Sequence, residues 1–191
     1  MPVAPDQVAG LVWAAWLVSW MAAAAWSSPA ERRPPVRSET LYRLVTVAGA
    51  VLLFGLQARW LGSDVTLWQT GRDVAWALVL VTLCGFLFTW WARITLGRLW
   101  SSGVTRKADH HIITAGPYRI VRHPIYSGLL LSVLATAALR GTAAGCVGAA
   151  LMILGLWIKA RVEERFLRRE LGEDQYDAYA QQVPMLVPFL R

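Results

Sequence analysis

A chain of 191 residues that is 56% apolar and only 16% charged has too few charges to cover a water-facing surface, which excludes an ordinary soluble domain. A net charge of +7 raises the question of nucleic acid, but the basic residues sort by predicted membrane side, which a nucleic-acid face would not do. The two cysteines, Cys84 and Cys146, sit inside apolar runs and give neither a disulfide framework nor a thiolate metal site.

The first seven residues carry no basic group ahead of the first apolar stretch, so that stretch is read as a retained segment rather than a cleaved signal. Val8–Trp26, Leu41–Ala58 and Val74–Trp91 each supply roughly the 17–25 mostly apolar residues that a helix needs to cross a layer of about 30 Å. Ile125–Ile158 is too long for one span. Arg140-Gly141 divides it into Ile125–Leu139 and Thr142–Ile158, each about 22–26 Å long as a helix, and the pair reads as a tight hairpin. Gly141, Gly145 and Gly148 put small residues where another backbone can approach the second arm. Several of the eleven tryptophans (Trp26, Trp60, Trp90, Trp91 and Trp157) fall at predicted span ends, where the headgroup region favours them.

The fold expected is all-α: a polytopic membrane protein, one domain over 1–191, with five transmembrane helices at 8–26, 41–58, 74–91, 125–139 and 142–158. A cytoplasmic amphipathic helix follows, running from Lys159 to about Ala180 with Val162, Phe166, Leu167 and Leu171 at helical spacing, until Val183-Pro184 ends it. With five spans, one side holds Arg59, Arg72 and Arg140, and the other holds the remaining 16 basic residues. Positive charge marks the cytoplasm, so the N-terminus is expected outside and the C-terminus inside. The segments 92–124 and 159–191 then face the cytoplasm, and both are long enough to carry function.

The spans hold no ionisable group near mid-bilayer, which argues against transport. Reactive side chains gather instead at the cytoplasmic ends of the last two spans. His110, His111, Tyr118, Arg119, Arg122, His123 and Tyr126 lie before or at the start of the hairpin, and Lys159, Arg161, Glu163 and Glu164 lie after it. A hairpin returns the chain to its starting side, so these clusters should be neighbours. Cationic and phenolic donors beside paired carboxylates suit a ligand that carries both a carboxylate and an amine. Adjacent His110-His111 has no His-Glu-x-x-His context, and no metal is expected.

The run from His110-His111-Ile112-Ile113 through Gly116-Pro117-Tyr118-Arg119 to Arg122-His123-Pro124-Ile125-Tyr126 resembles the signature of isoprenylcysteine carboxyl methyltransferases, part of which phospholipid N-methyltransferases share. Glu163-Glu164, Leu171-Gly172, Tyr176, Tyr179 and Val183-Pro184 look like its second half, and Leu96 to Ser101 is similar to the loop after the third span. The resemblance covers roughly residues 75–190. It implies methyl transfer from S-adenosyl-L-methionine, with S-adenosyl-L-homocysteine as product, to a lipophilic small-molecule or lipid acceptor that enters from the bilayer. By family pattern, His110 and the backbone of His111, Ile112 and Ile113 contact the cofactor. Tyr118, His123, Pro124 and Tyr126 line its pocket, and Glu163 holds its amine beside Glu164. Arg122 and Lys159 are the residues expected at the chemistry. Lys159 stands where the family has an arginine, and a lysine cannot make a flat bidentate clamp on a carboxylate. Rival expectations are a phospholipid, small-thiol or amine methyltransferase on the same scaffold, and a non-catalytic membrane protein that retains the fold. Arginine outnumbers lysine 17 to 2, which hints at a bacterial-type membrane.

Overall fold

The computed structural model describes residues 3–25, 36–56, 65–97, 100 and 112–190. Among them are six α-helices: α1 (Pro5–Ala24), α2 (Val36–Leu53), α3 (Arg72–Leu96), α4 (Pro124–Arg140), α5 (Ala143–Leu171) and α6 (Glu173–Gln182). A 3-10 turn, Gly116–Arg119, precedes α4. By length and composition α1, α3 and α5 could each cross a membrane. The other two predicted spans differ from these. α2 starts at Val36, which draws Arg37, Glu39 and Arg43 into the helix, and α4 has only 17 residues.

The bundle is built for an apolar surround. Leu11, Val18, Leu44, Leu80, Leu87, Leu134 and Val147 lie exposed along the helices, while Thr82, Thr89, Ser132 and Thr136 are buried. The buried hydroxyls join helices. Trp13 Nε1 donates to Thr136 Oγ1 at 2.9 Å, Trp16 Nε1 to Thr89 Oγ1 at 2.8 Å, and Ser132 Oγ to the Thr82 carbonyl at 3.0 Å. Apolar burial does not drive helices together in lipid, so such bonds, each about 0.6 kcal/mol, and close packing carry the association. Tryptophan accordingly does more than mark span ends. Trp13, Trp16 and Trp20 interlock with Phe54, Phe86, Trp90 and Trp100 inside the bundle. Trp91 and Trp157 remain half exposed, and Trp26 and Trp60 lie outside the described residues.

Two glycine crossings set the helix pairing. α2 packs chiefly on α5, and α3 on α4, each more extensively than the hairpin arms pack on one another. Gly49 and Gly148 face each other in the first crossing: a Cβ on Gly49 would fall 2.7 Å from the Gly148 carbonyl oxygen. Gly85 and Gly128 do the same in the second, where a Cβ on Gly85 would meet the Gly128 carbonyl oxygen at 2.6 Å. Of the three glycines singled out in the sequence, Gly148 alone makes such a crossing. Gly141 instead turns the hairpin in the left-handed region (φ 60°), and Gly145 donates its N–H to the capping Thr142 hydroxyl at 3.1 Å.

The hairpin tip is strapped by residues 65–70. Leu67 N–H donates to the Gly141 carbonyl at 2.7 Å, Ala143 N–H to the Val65 carbonyl at 2.9 Å, and Trp68 Nε1 to the Ala138 carbonyl at 2.9 Å. These contacts satisfy carbonyls that a helix end leaves without partners.

At the other end, α5 does not stop with its apolar stretch. Its 29 residues span about 43 Å, so it projects beyond a hydrocarbon layer of about 30 Å. The expected single tail helix is therefore two elements: the end of α5, then α6 after a break at Gly172 (φ +99°). Beyond α6 the chain runs back across the start of α4, with Arg122 N–H donating to the Pro184 carbonyl at 2.8 Å and His123 N–H to the Met185 carbonyl at 3.1 Å.

Candidate functional site

α4 opens with Pro124 in its first turn, where the missing N–H costs nothing, and the preceding His123 is held in a non-helical conformation. That places His123 and, one turn on, Tyr126 at the mouth of the hairpin. Their rings stack at 5.3 Å between centroids, 8° from parallel. α5 presents Glu163 and Glu164 to them from the other arm. Tyr126 donates to Glu163 Oε2 at 2.6 Å, and His123 Nδ1 stands 3.8 Å from the same oxygen. The residues before and after the hairpin do meet at one end of the bundle.

Glu164 has a separate task. Arg122 approaches its Oε1 through Nε and NH2, both at 2.7 Å, with both side chains about 12% exposed. The guanidinium also donates to the Ala180 carbonyl at 2.9 Å and the Val183 carbonyl at 2.5 Å. Arg122 thus ties α5, the end of α6 and the returning tail to the start of α4, and these contacts absorb most of its donors. In this geometry Arg122 positions the elements around the start of α4.

Tyr118, in the 3-10 turn, is 7% exposed, and its carbonyl accepts from the Tyr179 hydroxyl at 2.7 Å. Burial, with Glu163 nearby, pushes the Tyr118 hydroxyl well above its ordinary value. Burial likewise pushes Tyr179 up to about 12, against the pull of Arg122, and raises Tyr176. All three phenols are held neutral. Ile112 and Ile113 are half-buried in the chain leading to this turn. His110 and His111 lie outside the described residues.

Lys159 lies one turn before Glu163 on α5. Its Nζ is 5.2 Å from the Tyr126 ring centroid and 5.7 Å from that of Tyr42 on α2. Tyr42 and its neighbour Glu39 did not stand out in the sequence. The available signal was the Glu39–Arg43 pair at i, i+4, which only a helix beginning before Leu41 would bring together. Arg93 was likewise missed: fully buried on α3, it donates to the carbonyls of Ala23 (2.6 Å) and Gly97 (3.1 Å) and lies 3.8 Å over the Trp100 ring.

The site has room in its chemistry for an amine-bearing, aromatic-ringed cofactor. His123 Nε2 is buried without a hydrogen bond, lying 3.4 Å from Glu164 Oε1. The Glu163 side chain is 29% exposed, and the stacked His123–Tyr126 pair and Tyr118 offer flat apolar walls.

Comparison with known proteins points the same way. A profile of the isoprenylcysteine carboxyl methyltransferase family matches residues 77–169, which include most of α3, all of α4 and most of α5. Protein-S-isoprenylcysteine O-methyltransferase B of Arabidopsis thaliana is 34% identical over 102 residues, covering 52% of this chain and 51% of that protein. The cobalt-zinc-cadmium resistance protein CzcN of Cupriavidus metallidurans is 32% identical over 152 residues, 77% of this chain and 61% of its own. Methanethiol S-methyltransferase 2 of Bradyrhizobium diazoefficiens is 30% identical over 166 residues, 82% of this chain and 62% of its own. The chain therefore spans between about half and three-fifths of the length of these curated relatives. The motif residues on α4 and α5 lie inside the matched stretch, so that residues 77–169 of this membrane protein, whose helices suit a bilayer, are similar to the isoprenylcysteine carboxyl methyltransferase family.

Proposed function

We propose that the chain is an S-adenosyl-L-methionine-dependent methyltransferase that works at the cytoplasmic face of a membrane, with five spans and a lipophilic acceptor. The observation that carries this reading is the convergence of His123, Tyr126 and Glu163 from the two arms of the hairpin, Tyr126 and Glu163 lying 37 residues apart in sequence and 2.6 Å apart in space.

When bound, the cofactor supplies an electrophilic methyl group on a positively charged sulfur. Glu163 holds the amine of the cofactor, and Tyr126 fixes the carboxylate for that purpose by donating to its Oε2. His123, Tyr118 and Pro124 form the walls, and the family pattern adds His110 and the backbone of His111 to Ile113. The returning tail closes the site from water by lying across the start of α4 (Ser127 Oγ donates to the Leu186 carbonyl at 2.5 Å). Fixed dipoles in place of mobile solvent favour a reaction in which opposite charges cancel. Lys159, beyond Tyr126, faces the acceptor.

Calorimetric titration of the detergent-solubilised chain with S-adenosyl-L-homocysteine tests the reading. Binding is expected, and Glu163→Gln should weaken it at least about tenfold, the loss of one charge-assisted hydrogen bond, without lowering the thermal midpoint by more than a few degrees. No binding by the wild-type chain would leave a non-catalytic membrane protein with the family fold.

A further inference from the structure

Residues 187–190 form a turn that the proposed site does not use. The residues just before it, 183–186, are half-buried, and Met185 and Leu186 pack with Ile125, Leu129 and Leu130 around Tyr126, Leu156 and Ala160. Val187, Phe189 and Leu190 are exposed although all three are large and apolar. A hydrogen bond from the Leu190 N–H to the Val187 carbonyl at 3.2 Å closes the turn. Pro188 takes its second place and Phe189 its third, with φ 68°, where glycine is the usual residue. Among the described residues no other non-glycine has a positive φ. The strained position thus carries a phenyl ring that is 97% exposed.

The level of the turn identifies what covers it. Trp157 follows Leu156 on α5, is half exposed, and has the Arg161 guanidinium 5.9 Å from its ring centroid. Tryptophan beside arginine, where an apolar helix leaves the bilayer, marks the headgroup level. Met185 and Leu186, packed on Leu156 and Ala160, lie at that boundary, and Ser127 Oγ, one turn into α4, holds the Leu186 carbonyl there at 2.5 Å. Four more residues cannot carry the chain farther than about 13 Å. The turn also suits a dry layer, since Pro188 has no N–H and the Leu190 N–H is already bonded. Three side chains are too few for a stable protein partner, which takes about 20–30 residues a side, but they are enough to sink into lipid. We propose that residues 187–190 are a lipid anchor, seated between headgroups and acyl chains, which keeps the tail pressed on the start of α4. The contacts it protects are the bonds from the Arg122 and His123 N–H groups to the Pro184 and Met185 carbonyls. The anchor goes beyond the methyltransferase reading and depends only on the hairpin mouth standing at a bilayer surface.

The test uses the full chain in phosphatidylcholine vesicles. In a Cys84→Ala, Cys146→Ala background, nitroxide labels on Phe189→Cys and on Gln175→Cys, an exposed position of α6, report depth by their collisions with dissolved oxygen and with a water-soluble nickel chelate. The label at 189 is expected about 5–10 Å inside the boundary, and the label at 175 in water. Backbone amide exchange read by mass spectrometry then measures the hold on the tail. Phe189→Gly relaxes the turn but removes the ring, and it should speed exchange at Arg122 and His123 about tenfold, the low end for returning one large apolar side chain to water. Phe189→Leu keeps an apolar side chain and should keep most of the protection. A label at 189 as open to nickel as the one at 175 would overturn the anchor. So would exchange in Phe189→Gly no faster than in the wild type, or exchange in Phe189→Leu as fast as in Phe189→Gly. Spin–spin broadening between labels at 189 would put a second copy of the chain over the turn and overturn the lipid assignment.

Discussion

Arg122 shows how much one side chain at the hairpin mouth organises. It neutralises Glu164 and donates to two carbonyls of the returning chain. Replacing it with alanine leaves a half-buried carboxylate and those carbonyls without donors. Arg122→Ala should therefore cost about 3 kcal/mol, the low end for breaking a buried pair, and should open the tail to trypsin at Arg168 and Arg169. A thermal melt in detergent and a timed digest would check it. Arg122→Lys should recover little, because an ammonium cannot fan its donors over three acceptors on different elements. The sequence marks Arg122 as important but does not show its partners, because residues 164, 180 and 183 become its neighbours only after α5, α6 and the tail have folded back. Glu39 and Tyr42 are illegible for a related reason. They read as the flank of a span until α2 is seen to start at Val36 and cross α5.

The helices themselves are largely legible, since long apolar runs leave few alternatives, and the break at Arg140-Gly141 lies where the composition puts it. Their ends and neighbours are not. Hydropathy stops at Ile158, but α5 continues to Leu171, because nothing in Lys159 to Glu170 breaks a helix before Gly172. Pairing is set by where backbone can approach backbone, and only some glycines serve that. Gly148→Val would push side-chain carbon against the backbone of Gly49 and Leu53 and should destabilise the protein by about 3 kcal/mol, as overpacking does where neither neighbour can yield. Gly10→Ala, on an exposed face of α1 with nothing within 4 Å, should be neutral or stabilise by up to about 1 kcal/mol. Comparing the two melts separates a crossing glycine from one that merely lies in a helix.

For the molecule as a whole, the polar end is held by groups that must stay uncharged. Tyr118, Tyr176 and Tyr179 all have hydroxyls raised above the ordinary 10.0, Tyr179 to about 12. A value higher in the folded state than in the unfolded one stabilises the fold fully below pH 10. That contribution is lost as pH climbs through about 12, because the unfolded chain releases its protons first. Alkaline titration should therefore detach α6 and the tail between pH 10 and 12, seen as tyrosinate absorbance rising together with protease sensitivity. Tyr179→Phe should lose its bond to the Tyr118 carbonyl and show a smaller change over that window.

The strap at the opposite end bears on how so short a hairpin can stand in a bilayer. The 17 residues of α4 reach only about 25 Å, against an oily layer of about 30 Å. Left bare, the Gly141 corner would either sink its carbonyls below the headgroups or drag the lipid thinner around it. Residues 65–70 lie over that corner with Trp68 anchored on Ala138. They join that corner to an earlier part of the chain, so that the tip of the hairpin is held jointly by two stretches about 70 residues apart.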